Sequence, residues 1–327
     1  MSRYICLETP NGANALQLRK RETPSPGAGE VLIKQTKLGL NFLDIYQTTG
    51  AYPFPENGVL IPGNEGVGII LSCGEGVNNF NEGDRVGYPM TIGAFAEERV
   101  ISSERVIHLP DTITDEAAAA SMLKGMTVEY LFNQSTKLRE GDKVLFHAAA
   151  GGVGLIAGQW LNAIGVESIG TVGTQAKQEL AQNFGYTHVL NYNEVNFAEA
   201  VMDLTNGKGV KVVFDSVGKD TYPMSLKVLE NCGLFVAFGA SSGVANDFCL
   251  ADLQKNGSLY AQRPTLATYI ATSDQLKQSS KNLFKMLETG KIKVSINQKY
   301  NLENTADAFN ALTSRKTSGA SIIDTGL

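Results

Sequence analysis

Val144-Leu145-Phe146-His147-Ala148-Ala149-Ala150-Gly151-Gly152-Val153-Gly154 is the stretch that decides how this chain folds. An apolar run of strand length leads directly into small residues and then Gly-Gly-x-Gly, which a tight turn tolerates and a helix interior does not. Immediately after it, Val153, Ile156, Ala157, Trp160, Leu161 and Ile164 recur at i, i+3, i+4, i+7, i+8 and i+11. That spacing lines one face of a helix, which Gly165 can stop. A strand, a glycine-rich turn and a helix in this order open a dinucleotide-binding unit. Gly151 lets the backbone approach a pyrophosphate, Gly154 lets the helix pack close to the strand, and free amides around Gly152 and Val153 face the phosphates at the positive end of the helix dipole. Ala149 stands where the usual fingerprint has its first glycine. The competing reading is a tight strand-to-helix turn with no ligand.

Downstream, the pattern of apolar run, turn and amphipathic stretch repeats. Further runs are Ile169 to Val172, Val189 to Leu190, Val212 to Phe214 and Leu234 to Phe238, with a weaker one around Leu259. This alternation predicts a doubly wound parallel sheet of five or six strands with crossover helices, the second spanning Gln175 to Phe184. The first 120 residues read differently, as a mostly β unit punctuated by Gly, Pro and Asn, with β-prone pieces Val31 to Lys34, Val67 to Leu71 and Arg85 to Tyr88. Glu82-Gly83-Asp84-Arg85-Val86 and Glu140-Gly141-Asp142-Lys143-Val144 are two copies of one strand-launching turn. After about residue 265 the alternation lapses into a helix, Asp274 to Thr289, and a short β-prone tail. The expected organisation is a catalytic domain of residues 1–121 and 265–327 around an inserted nucleotide domain of residues 122–264, with a cleft between them.

The composition, 43% hydrophobic and 19% charged over 327 residues, is that of an ordinary globular chain and leaves room for two cores. No stretch approaches the ~20 apolar residues of a membrane span, and no secretory leader is evident, so a cytoplasmic protein without a membrane partner is expected. A net charge of -5 with scattered Lys and Arg offers no basic face, and no nucleic acid partner is expected. Cys6, Cys73, Cys232 and Cys249 lie far apart and read as free thiols. His108, His147 and His188 have no ligand-spaced neighbours, so no metal is expected. At the end of the second strand, Gly170-Thr171-Val172-Gly173-Thr174 lacks the carboxylate that would bind a ribose 2′-hydroxyl. A 2′-phosphate is therefore not repelled there, and Lys177 is placed to neutralise it. NADPH is favoured over NADH, although an isolated Lys177 also reads as a solvated lysine on a helix face.

Beyond these stretches the chain resembles the medium-chain dehydrogenase/reductase superfamily, and within it the zinc-free quinone oxidoreductase (zeta-crystallin-like) family. The segments that carry the likeness are Gly39 to Asp44, Pro62 to Gly68, Gly83 to Val86, Gly93 to Glu97, Lys124 to Thr127 and, most specifically, Gly141 to Gln159. The resemblance implies a GroES-like mostly-β catalytic domain, a Rossmann domain, and a homodimer joined through the edges of the nucleotide-binding sheets. Zinc members of the superfamily carry Gly-His-Glu where this chain has Gly63-Asn64-Glu65, and a cysteine near position 40 that is absent here. Without a metal to polarise an alcohol, the implied acceptor is electron-poor already: a quinone, or an α,β-unsaturated carbonyl such as an alkenal, enone or enoyl thioester. A non-catalytic, NADPH-binding structural or sensor role is the further alternative.

The same resemblance implies that Asn41, Asp44, Tyr46 and Tyr52 lie beside the nicotinamide, with either tyrosine able to donate a proton or hydrogen bond and Asn41 able to orient cofactor or acceptor. Read without it, Asp44 is a helix-starting carboxylate and each tyrosine a packed aromatic. On the cofactor side it implies Thr127 at the nicotinamide amide and Gly173, Lys177 and Tyr192 around the 2′-phosphate. It adds Ser216 and Val217 after the fourth strand, Phe238, Gly239 and Ala240 after the fifth, and Arg263 and Arg315 within reach of phosphate or nicotinamide. Ser216 and Gly239 also have physical support, because ligands collect at strand ends in such sheets. Arg315 alone reads as a solvated arginine.

Overall fold

A computed structural model describes residues 1–52 and 58–326. The chain divides into two compact units, Met1–Met126 with Ile270–Thr289 and Val294–Leu327, and Thr127–Tyr269 with Gly290–Lys293. The junctions fall a few residues later than the sequence suggested. Residues 122–126 are held in the first unit because Glu65 accepts the Leu123 N–H at 2.7 Å and meets the Lys124 ammonium at 3.3 Å. Residues 265–269 stay with the second, where Tyr269 stacks on Tyr130 at 4.5 Å and its hydroxyl accepts from Gln262 at 3.0 Å.

The second unit is built on a six-stranded sheet. In spatial order its strands are His188–Asn191, Glu167–Val172, Lys143–Phe146, Val210–Asp215, Leu229–Ala237 and Tyr260–Gln262, every pairing parallel. Chain order reverses between Lys143–Phe146 and Val210–Asp215, the place where a doubly wound sheet opens a crevice beyond its strand ends. Helices Gly152–Ala163, Gln175–Asn183 and Phe197–Leu204 cross between strands. Along the first of these, Ile156, Ala157, Trp160 and Leu161 are buried, the stripe expected from their spacing. Gly165 and Gly185 follow the ends of the first two at φ of 72° and 94°, where a side chain would be strained.

The first unit carries a seven-stranded sheet centred on the long strand Glu30–Leu40, which pairs antiparallel with Glu65–Cys73, Glu98–Ser102 and Ala320–Asp324. Val31, Ile33, Leu38, Ile70, Tyr88, Phe95 and Phe309 close its core. Two strands of the tail, Ile296–Asn301 and Ala320–Asp324, belong to this sheet, but a helix, Thr305–Thr313, stands between them where only β-prone chain was expected. Asp84 and Asp142 do the same work in the two turns singled out in the sequence. Each carboxylate accepts a backbone N–H three residues earlier, from Asn81 and Arg139, at 2.8 Å, and Gly83 and Gly141 take positive φ.

The missing first glycine of the turn is compensated from the neighbouring strand. Ala149 is fully buried, and a side-chain carbon added at Gly170 would come within 2.7 Å of the Ala149 methyl. Gly170→Ala should therefore cost about 1–3 kcal/mol of stability by overpacking, and adding Ala149→Gly should return part of it. Urea unfolding of both single variants and the pair checks this; additive losses would contradict it.

Candidate functional site

Nearly every cofactor candidate of the second unit sits just beyond the C-terminal end of a parallel strand. After Lys143–Phe146 the chain turns at Ala148, held at φ 57°, and Gly151 N–H closes the turn on Ala148 O at 2.9 Å. The helical ladder starts with Leu155 N–H on Gly151 O at 2.9 Å, so the amides of Gly152, Val153 and Gly154 form the open first turn. A side chain at Gly154 would collide with the backbone oxygens of Ala148 and Ala149. The glycine is what lets the helix stand this close to the strand, with its amides over the turn, which fits a diphosphate.

Gly173 follows the second strand, and a side chain there would strike the Tyr192 hydroxyl, which follows the third. Tyr192 N–H bonds Val172 O at 3.0 Å, and the residue is 46% exposed. Thr174 caps the next helix by accepting the Lys177 N–H, which brings Lys177 into its first turn beside Gly173. No carboxylate occupies the strand-end sequence Val172-Gly173-Thr174. Ser216 and Val217 follow the fourth strand and Phe238, Gly239 and Ala240 the fifth, and the two turns are laced together. Ser241 N–H donates to Ser216 O at 3.0 Å, Ser242 N–H to Val217 O at 2.8 Å, and Gly239 packs its backbone against Ser216. Arg263 is exposed just past the edge strand. Thr127 is buried near the end of helix Asp115–Glu129. Arg315 belongs to the first unit, where at φ 59° it follows the end of helix Thr305–Thr313.

Asn41, Asp44 and Tyr46 lie at or on helix Phe42–Thr48 of the first unit. Asp44 starts this helix, its carboxylate accepting the Asn41 N–H at 2.8 Å, so the helix-starting reading of this residue is correct. The carboxylate does more than cap. It also accepts the Asn64 amide at 2.7 Å, and that amide donates to Gln47 at 2.6 Å. On the other side the Asn41 amide donates to Glu65 at 3.0 Å, and Glu65 meets Lys124. Gln47, Glu65 and Lys124 were not singled out from the sequence as site residues. Glu65 and Lys124 do fall in segments that carry the family likeness, Pro62 to Gly68 and Lys124 to Thr127. Tyr46 is half-buried, its ring 6.2 Å from that of Phe42. Tyr52 is exposed and borders residues 53–57, which lie outside the described residues.

Burial pushes the Asp44 carboxyl up to about 7, against the pull of its hydrogen bonds to Asn64 and Asn41 and of the Lys124 charge. The Asn64 amide N–H groups take up the Asp44 and Gln47 oxygens that would otherwise be turned toward an ion. Among the described residues no three His, Cys, Asp or Glu side chains gather to hold one. The donors present do not fit a zinc ion.

A parallel six-stranded sheet with a glycine turn, joined in one chain to a GroES-like β unit, defines a medium-chain dehydrogenase/reductase. Residues 152–286 match the family model described as zinc-binding dehydrogenase, and residues 27–111 that of the alcohol dehydrogenase GroES-like domain. The chain is 42% identical over 326 residues to a quinone oxidoreductase of Pseudomonas aeruginosa, covering 99% of both. It is 38% identical to a 2-haloacrylate reductase of a Burkholderia species, over 91% of this chain and 92% of that one. The structure of Escherichia coli quinone oxidoreductase complexed with NADPH superposes with a TM-score of 0.95 at 40% identity, over 99% of this chain and all of that one. The chain belongs to the quinone oxidoreductase family.

The pH dependence of stability tests the buried carboxyl. Between its unfolded value near 4 and its folded value near 7, Asp44 is protonated in the folded state and ionised in the unfolded one. Unfolding then releases a proton, and this group makes stability fall by about 1 kcal/mol for each unit that the pH rises. Asp44→Asn should remove that slope, so the stability difference between the two proteins changes across the window and levels off above it. Urea unfolding at intervals through the window measures this; parallel curves would mean that Asp44 stays ionised when folded.

Proposed function

We propose that this protein is an NADPH-dependent quinone reductase that works without zinc. The observation that carries the reading is the end of the second strand, where Gly173, Tyr192 and Lys177 surround a position that has no carboxylate. An acidic residue there would repel a 2′-phosphate, whereas Lys177 attracts one. When bound, the nicotinamide supplies the reducing equivalents. The chain supplies grip and position: the amides of Gly152, Val153 and Gly154 for the diphosphate, and Ser216, Val217, Phe238, Gly239 and Ala240 as the laced floor of the remaining cofactor. Thr127 serves the nicotinamide amide, and Arg263 and Arg315 are further candidates for phosphate or nicotinamide. Asn41 and Asp44 set one polar wall of the acceptor site, and Tyr46 or Tyr52 donates to the oxygen on which charge develops. With no metal to polarise an alcohol, an acceptor that already stabilises negative charge is required. A quinone meets that demand.

A second reading, reduction of an activated alkene, is favoured by the kinship to a 2-haloacrylate reductase. The acceptor profile separates the two. Loss of reduced-nicotinamide absorbance with small quinones and none with alkenals, enones or haloacrylates supports quinone reduction, and the reverse profile overturns it. Metal analysis should find no stoichiometric zinc. The four free cysteines support a reducing, cytoplasmic setting. A homodimer is proposed through the strand Tyr260–Gln262, which ends the sheet and exposes 64% of Tyr260.

Lys177→Ala should weaken NADPH binding about tenfold or more, since a hydrogen bond to a charged group contributes roughly 1.5–3 kcal/mol. NADH offers no such phosphate, and its affinity should hold. Fluorescence titration with both cofactors decides, and equal losses would refute the role of Lys177.

A further inference from the structure

Asp215 ends the strand Val210–Asp215 and is fully buried, a setting in which an unpartnered carboxylate would be strongly unfavourable. Donors surround it. Oδ1 accepts the backbone N–H groups of Val217 at 2.7 Å and Gly218 at 2.9 Å, and Oδ2 accepts the Thr221 hydroxyl at 2.7 Å. Ser225 Oγ lies 3.3 Å from Oδ2, His147 Nε2 lies 2.9 Å from Ser225 Oγ, and His147 Nδ1 lies 2.8 Å from Thr171 Oγ1. One placement of hydrogens is compatible with the whole line: Thr171 donates to Nδ1, Nε2–H donates to Ser225, and the Ser225 hydroxyl, which also lies 2.9 Å from Thr221 O, shares its hydrogen between that carbonyl and the carboxylate. Burial lowers the His147 pKa against the pull of Asp215, which keeps the ring in the neutral form this line requires.

The line joins the ends of three adjacent strands. Thr171 stands two residues before Gly173, and its carbonyl accepts the Ala149 N–H at 3.0 Å. His147 immediately precedes the turn at Ala148. Asp215 immediately precedes Ser216, and its backbone oxygen accepts the Phe238 N–H at 2.9 Å. We propose that Asp215, Ser225, His147 and Thr171 are positioning residues that lock the turns bearing Gly151–Gly154, Gly173 and Ser216–Gly218 into the one arrangement a dinucleotide needs. Cofactor affinity is then set in part by a buried carboxylate behind the site. This rests on the reading of those turns as the NADPH site.

Ser225→Ala cuts the line while leaving the direct Asp215 contacts to Val217, Gly218 and Thr221, and Asp215→Asn removes its charge. Amide hydrogen exchange of the full chain without cofactor, NADPH titration by fluorescence, and steady-state kinetics are read on each. Ser225→Ala should speed exchange at Val217, Gly218 and Ala149 and raise the NADPH Kd and KM about 3- to 10-fold, the size of one buried hydrogen bond. It should leave kcat within about 2-fold, because the transition-state contacts are untouched. Unchanged turn exchange and Kd would overturn the proposal. So would a Kd that holds while the whole protein loses stability, the signature of a merely structural network. Should Asp215→Asn fail to fold, Ser225→Ala still decides. If the unaltered protein binds no NADPH, the cofactor reading fails, and turn exchange alone judges the network.

Discussion

Everything in the nucleotide-binding unit depends on how closely one helix approaches one strand. The helix Gly152–Ala163 can present its first amides over the sheet end only if nothing projects between it and the turn at Ala148. Backbone oxygens of Ala148 and Ala149 occupy the space a side chain at position 154 would need. That contact fixes where the amides point, and the rest of the sheet is arranged to permit it. Gly170 on the neighbouring strand lies bare against Ala149, so the methyl that departs from the common fingerprint is absorbed one strand away. The fingerprint is in this sense a property of two adjacent strands: what it requires is a minimum of atoms at the crossing, and either partner can supply the absence.

The first unit solves a different problem, that of satisfying a cluster of polar groups in a buried place. Asp44 and Glu65 are fully buried carboxyls, and each is surrounded by donors, Asn41 and Asn64 for one, Asn41, Leu123 and Lys124 for the other. Replacing an imidazole by the Asn64 amide changes the sign of the groups that meet there. An amide N–H turned toward Asp44 satisfies the carboxyl directly, whereas a metal would need lone pairs turned inward. The outcome is a buried polar cluster held by its own hydrogen bonds, a donor set that does not fit a zinc ion.

The parallel strands were legible in the sequence because strands buried on both faces read as short apolar runs, as Val144 to Phe146 and Val212 to Phe214 do, and because those runs alternate with helical patterns. Less legible elements are those whose identity is set by neighbours. The strand Leu229–Ala237 begins five residues before the apolar run Leu234 to Phe238, because Glu230, Asn231 and Cys232 are exposed at its start and Cys232 takes a φ of 60°. The helix Thr305–Thr313 places Thr305, Ala308, Phe309 and Leu312 at helical spacing, but over nine residues that stripe is too short to stand out from the β-prone tail around it.

Buried polar networks are hidden more deeply still. His147, Thr171, Asp215 and Ser225 are separated by 24, 44 and 10 residues, and no spacing rule connects them. What unites them is strand order: the strands that end near His147, Thr171 and Asp215 are neighbours only after the doubly wound sheet has formed. Before folding, each is a polar residue that detracts slightly from an apolar run. Inside the sheet, each must find a partner or carry the full cost of desolvation. The residue types are compatible with one closed set of donors and acceptors, and that set exists only in this strand order. A polar group at the end of a buried strand therefore carries topological information, because it names the strand that has to lie beside it.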